Sequence, residues 1–123
     1  MPGDNEKFKN DLKKRIYVWT ISLIKFLRTL PKEYVFEVLG KQLLRSGTSI
    51  LANFVEAQAA SSRKDFTNFM NHSLKSANES KVWLSLLKDS LPGSYSRQLE
   101  ILLKECIEMS NILGKTVATL RSK

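Results

Sequence analysis

The sequence predicts an all-α fold, an antiparallel up-down-up-down four-helix bundle. Three observations carry that prediction. The 123 residues include only five Gly and three Pro. Five of the eight stand near the N-terminus or in the turns at Pro31 and Pro92, so little interrupts a chain rich in Leu, Lys, Ser and Glu. Four stretches repeat apolar residues at i, i+3/i+4 and i+7, the period of a helix with one buried face. The connections between them are only a few residues long, which makes successive helices antiparallel neighbours. A chain of this length fits one domain, residues 1–123, able to bury most of its apolar surface without cross-links.

Residues 1–7 are polar and predicted to be disordered. The first helix, about residues 8–30, carries Phe8, Leu12, Ile16, Trp19, Leu23, Phe26 and Leu30 on one stripe, and Pro31 stops it. Tyr17, Ile21 and Ile24 form a second apolar set on a neighbouring face. This helix is therefore apolar over more of its circumference than one packing partner needs, and Tyr17 and Ile21 become candidates for a contact between subunits. The second helix, about 33–59, places Val35, Leu39, Leu43, Gly47, Ile50 and Phe54 in line. Ser62 with Asp65 three residues on resembles a capping box and opens the third helix, about 62–89, whose stripe runs from Phe66 through Met70, Ser73 and Ala77 to Leu84 and Leu87. The run DSLPGS ends it. Ser94 is the expected cap of the fourth helix, about 94–121, with Tyr95, Leu99, Leu102, Cys106, Met109, Leu113, Val117 and Leu120 on its buried side.

The second helix contains an irregularity, LLRSGTSILANFVEAQAA from Leu43 to Ala60, where small and polar residues crowd a segment that must bury one side. If helices two and three fold back about residue 60, Ser46 and Gly47 lie near Ser73, and Gly40 lies near Ser80. Small side chains then meet small side chains, and the backbones approach closely despite the cost of Gly in a helix, about 1 kcal/mol. Arg45, Ser49, Ala52 and Glu56 follow one line along the helix, with Asn53 beside it. Arg45 and Glu56 stand three turns apart, roughly 16 Å along the axis, too far to pair with each other. Buried charges persist only when paired, so a neighbouring subunit is expected to bridge them. Arg45, Ser49, Asn53 and Glu56 thus join the interface candidates.

The stretch QLLRSGTSILANFVEAQAASSRKDFTNFMNHSLKSANESKVWL, residues 42–84, resembles the four-helix-bundle proteins encoded in intervening sequences of bacterial 23S rRNA genes. These are also labelled S23-like and are related to the accessory variability determinant of diversity-generating retroelements. The resemblance rests on Leu44 to Ile50, Ala52-Asn53 and Glu56. It continues through Ser61, Ser62, Lys64-Asp65-Phe66 and Phe69 to Ser76-Ala77 and Glu79. The family's Gly after the Glu is Ala57 here, which lets helix two run on toward Ala60. Its second Glu of an acidic pair is Lys81, and its Gly before Ser is Lys75. The resemblance implies a bundle that assembles into a ring, commonly a pentamer. It also implies, from the retroelement relatives, a basic non-enzymatic partner of a reverse transcriptase and its RNA template.

Little in the residues suggests catalysis. The single His72 has no Cys or His at ligand spacing, so no metal site is expected. Cys106 sits on the apolar stripe of helix four, where a thiol is core filler and not a nucleophile. Structural hydrogen bonding is the expected use of Glu56 and Glu79, ahead of a catalytic carboxylate pair. Glycine-rich phosphate loops and serine elbows are absent, and no cofactor is expected. One Cys excludes an internal disulfide and favours a cytoplasmic protein. The run KKRIYVWTISLIKFL imitates a signal or a membrane span, but Lys25 and Arg28 break it.

Charge is the remaining signal. The net charge is +8, with ten basic and six acidic residues in each half of the chain. Such a surface attracts phosphate backbones, or it is merely solvated. Lys7, Lys9, Lys13, Lys14 and Arg15 cluster at the start of helix one, and Arg63 and Lys64 stand at the tip between helices two and three. Five copies in a ring would carry about +40, a strong field for RNA or DNA. The function expected is backbone binding of nucleic acid without a base code; the alternative is a protein-only adaptor.

Overall fold

A computed structural model describes the backbone of residues 2–122 and the side chains of residues 5–122. Four helices follow in order: α1 (Pro2–Leu27), α2 (Tyr34–Gln58), α3 (Arg63–Ser90) and α4 (Ser96–Arg121), with a 3₁₀ turn (Gly93–Tyr95) leading into α4. Each helix packs on its neighbours in sequence, and α1 closes against α4. Pairings across each seam run in opposite directions. Trp19 meets Leu102 while Thr29 meets Tyr95, and Ser46 meets Ser80 while Ile50 meets Ser73. The bundle is all-α, with its core on the shared axis: Ile16 and Leu23 from α1, Leu43 and Ile50 from α2, Leu84 from α3 and Leu113 from α4 are fully buried.

Several boundaries differ from expectation. Helix α1 does not begin at Phe8 but runs back to Pro2, while Met1 lies outside the described residues. The apolar stripe marks where packing begins, and Glu6 and Lys7 continue a helix beyond it through propensity alone. At its other end α1 stops at Leu27, ahead of Leu30. The Thr29 N–H donates to Phe26 O at 2.9 Å and the Leu30 N–H to Leu27 O at 3.3 Å, so the last turn tightens before Pro31, whose ring disfavours helical backbone at Leu30. In α2 the buried stripe starts with Phe36, and Val35 is exposed. Ser62 caps α3 as its sequence suggests, its Oγ accepting from the Asp65 N–H at 3.1 Å. Ser94 does not cap α4. Tyr95 occupies the cap position without a side-chain bond and sends its hydroxyl to Thr29 O at 3.0 Å, its ring edge-on to Phe26.

The small residues of α2 also find different neighbours. Ser46 Oγ lies 2.8 Å from Ser80 Oγ, and the Ser73 hydroxyl donates to Ile50 O at 2.8 Å. The hairpin therefore pivots beyond residue 60, and Ser46 pairs with Ser80, two turns further along α3 than Ser73. Gly47 and Gly40 face α1, receiving Trp19 and Leu23, and Leu27 and Leu30. Successive helix residues point 100° apart, so Ser46 and Gly47 serve two different seams. Small-on-small contact holds only at the serines; the glycines are sockets for large side chains.

Candidate nucleic-acid interface

Antiparallel packing decides where the basic residues gather. The start of α1 lies level with the end of α2, the α2–α3 tip and the end of α4. The Arg63 guanidinium donates from Nη2 to Leu120 O at 3.0 Å, tying the tip to the last turn of α4. Lys9, Lys13 and Lys14 therefore share one end of the bundle with Arg63 and Lys64. Lys7, Lys115 and Arg121 lie at the same end. All eight are exposed, and among the described residues none forms a salt bridge. Among the described residues the exposed carboxylates there are fewer: Glu6, Asp11, Glu56, Asp65 and Glu108, the last in contact with Arg15.

Arg15 leaves this set. Its guanidinium donates from Nε to Glu105 Oε2 at 2.6 Å, from Nη2 to Glu105 Oε1 at 2.7 Å, and to Glu108 Oε1 at 3.2 Å. Glu105 is the main cause of a pKa raised even above the ordinary arginine range. A bidentate partner of this kind competes directly with phosphate, so Arg15 is a brace between α1 and α4.

The polar line on α2 is likewise satisfied mostly within the chain. Arg45 donates to Gln42 Oε1 at 3.0 Å and forms an ion pair with Glu79 of α3. The Trp83 indole N–H donates to Glu79 Oε2 at 2.9 Å. That bond is the largest influence holding the Glu79 carboxyl below its usual range; Arg45 adds to it and partial burial opposes it. The bridging subunit expected for Arg45 is therefore unnecessary, because the facing helix supplies a carboxylate that spacing along α2 alone could not reveal. Ser49 Oγ donates to Arg45 O at 2.7 Å and Asn53 Nδ2 to Ser49 O at 2.9 Å, both within α2. Glu56 is exposed and forms no ion pair among the described residues. Tyr17 is 54% exposed and Ile21 partly so, leaving the second apolar face of α1 open. Thr48 and Leu51 of α2 lie level with it through the register that seats Trp19 and Leu23 on Gly47.

The chemistry of the remaining reactive groups is confined. Cys106 is fully buried, its Sγ 3.4 Å from Ala77 O, and burial pushes the thiol up to about 12. His72 is exposed and edge-on to Phe69. Among the described residues no three His, Cys, Asp or Glu side chains are grouped to hold a metal ion, and no helix is long and apolar enough to cross a membrane.

Fold and surface together define a small four-helix bundle with one strongly basic end. The chain matches the 23S rRNA-intervening sequence protein family over residues 9–115 and belongs to it. Among solved structures it is similar to a protein of unknown function from the S23 ribosomal protein family of Bacteroides thetaiotaomicron VPI-5482. The two are 34% identical with a TM-score of 0.79, over 89% of this chain and 97% of that one. No curated protein matches the chain.

Proposed function

We propose that this protein is a non-enzymatic, self-associating bundle that binds nucleic acid through the phosphate backbone at its basic end. The observation that carries the reading is the convergence of Lys7, Lys9, Lys13, Lys14, Arg63, Lys64, Lys115 and Arg121 on one rim. Exposed lysines on mobile stems neutralise phosphates without reading bases, so the binding is expected to be insensitive to sequence and steeply dependent on salt. Self-association is assigned to the open apolar face of α1 around Tyr17 and Ile21. A ring of copies would present several basic ends to one polyanion.

The test is a filter-binding titration of single-stranded RNA and DNA between 50 and 200 mM salt, values chosen to span the range over which counterion release is pronounced. Two triple variants carry the same net charge: Lys9, Lys13 and Lys14 to Glu at the basic end, and Lys25, Lys32 and Lys41 to Glu elsewhere. The first should abolish binding and the second should retain most of it. Equal losses would remove the assigned end. Affinity without a salt slope would remove backbone binding altogether.

A further inference from the structure

The apolar stripe of α1 outruns the core. Leu12, Ile16 and Trp19 are buried, but Phe8, one turn before Leu12 on the same stripe, is 50% exposed. Counted from the contact of Trp19 and Leu23 with Gly47, Phe8 stands level with the α2–α3 connection. There α2 has already ended at Gln58 and supplies no further turn to cover the ring. The other phenylalanines at this end are taken up by packing: Phe54 is buried, and Phe66 and Phe69 are partly buried against the core. A single exposed ring elsewhere on a surface needs no explanation. This one opens within the rim where the lysines converge.

We propose that Phe8 is a stacking platform for an unpaired base, which makes the ligand of the basic end a single-stranded nucleic acid. That role presupposes the basic end as the nucleic-acid site and narrows what the site takes. Two features select a base as the occupant. The first is size. Asn5, Glu6, Lys7, Lys9, Asn10 and Asp11 around the ring are all polar and exposed, so no contiguous apolar patch offers itself to a protein or lipid surface. A nucleobase is a flat face of about one ring's size, and every base can stack on an aromatic side chain. The second is position. Lys7 and Lys9 adjoin the ring and Lys13 follows a turn later, all without an ion pair among the described residues. Glu6 and Asp11 stand in the same turns, so charge close to the ring is nearly balanced and the wider rim holds the phosphates. Phe8 adds an interaction of a different kind, one that salt does not screen. A duplex cannot use it: its phosphates reach the lysines, but its bases stay stacked on one another inside the helix.

Three probes separate bases from phosphates: a labelled single strand of about 12 nucleotides, within the length one single-strand site occupies, the same strand with abasic sugars throughout, and the strand in a duplex. Fluorescence anisotropy at low salt compares the parent with Phe8→Leu, which keeps an apolar side chain, and Phe8→Tyr, which keeps the ring. Phe8→Leu should weaken the normal single strand at least about fivefold and leave the abasic strand and the duplex unchanged. Its salt slope should match the parent's, because every lysine remains. Phe8→Tyr should bind all three probes as the parent does. With helical circular dichroism unchanged, an equal loss on all three probes would overturn the stacking role. So would a Phe8→Tyr as weak as Phe8→Leu, or a Phe8→Leu that binds the normal strand like the parent. Sedimentation showing that Phe8→Leu alone splits an assembly of copies would overturn it too, since the ring would then be covered by the chain itself. In each of these cases a parent that binds with a salt slope keeps the basic end as the site. A parent that binds none of the probes, or binds them without a salt slope, removes that site and the stacking role with it.

Discussion

A methyl group added at Gly47 would collide with Leu23 Cδ2 and lie 3.4 Å from the Trp19 ring. Leu23 is fully buried and has nowhere to retreat, so Gly47→Ala should destabilise the fold by about 1–3 kcal/mol, outweighing the propensity gained. At Gly114 the nearest atom, Leu74 Cδ1, is 3.8 Å away. Gly114→Ala should therefore stabilise by about 0.5–1 kcal/mol. Gly40→Ala falls between them, because the atom it meets ends the partly buried Leu30 side chain, which can turn aside. Urea midpoints for the three variants check the ordering Gly114, Gly40, Gly47. Cys106 gives a second test at this scale. Burial keeps its thiol protonated in the fold, so it should resist a disulfide reagent at neutral pH and react only on unfolding. The same shift makes stability decline above pH 9.0, the ordinary value, where the unfolded thiol ionises and the folded one, near 12, does not.

Among the elements, the α2–α3 hairpin has the clearest electrostatic dependence. The Glu79 carboxyl is lowered from its ordinary 4.5, so its carboxylate favours the folded state. That contribution is whole above pH 4.5 and disappears as pH falls through the lowered folded value. Glu79→Gln should cost at most about 1 kcal/mol at pH 7, since Arg45 is 56% exposed, and the gap to the parent should narrow as pH falls below 4.5 in denaturant titrations. Ser62→Ala removes the α3 cap and should cost about 0.5–2 kcal/mol, readable as a lower thermal midpoint. How much was legible in the sequence divides along the same line. Apolar periodicity located all four helices, and Ser62 announced its own cap, because those signals are local. Residue patterning could not give the partner of Arg45 or Arg15. Each lies on another helix, in a register set by where the connections pivot. A pivot only a few residues past residue 60 was enough to move Ser46 from Ser73 to Ser80.

For the molecule as a whole, the basic end and the open face of α1 make a joint prediction. If copies associate through Tyr17 and Ile21, each brings its own set of exposed lysines, and a polyanion spanning several ends binds at high effective concentration. Dissociating the copies should then weaken nucleic-acid binding without touching a single lysine. Tyr17→Glu with Ile21→Glu adds carboxylates to a face that is already partly solvated, so the fold should persist while the association is lost. Sedimentation velocity should show the parent as an assembly and the double variant as one subunit. In parallel, the parent's thermal midpoint should rise with protein concentration and the variant's should not. On a long RNA the variant should lose affinity by about 10²-fold, whereas on an oligonucleotide long enough for one end the two proteins should differ little. A parent that sediments as one subunit at high concentration would end the argument at its first step. Equal losses on long and short RNA would show that the new carboxylates act through net charge and not through the number of linked ends.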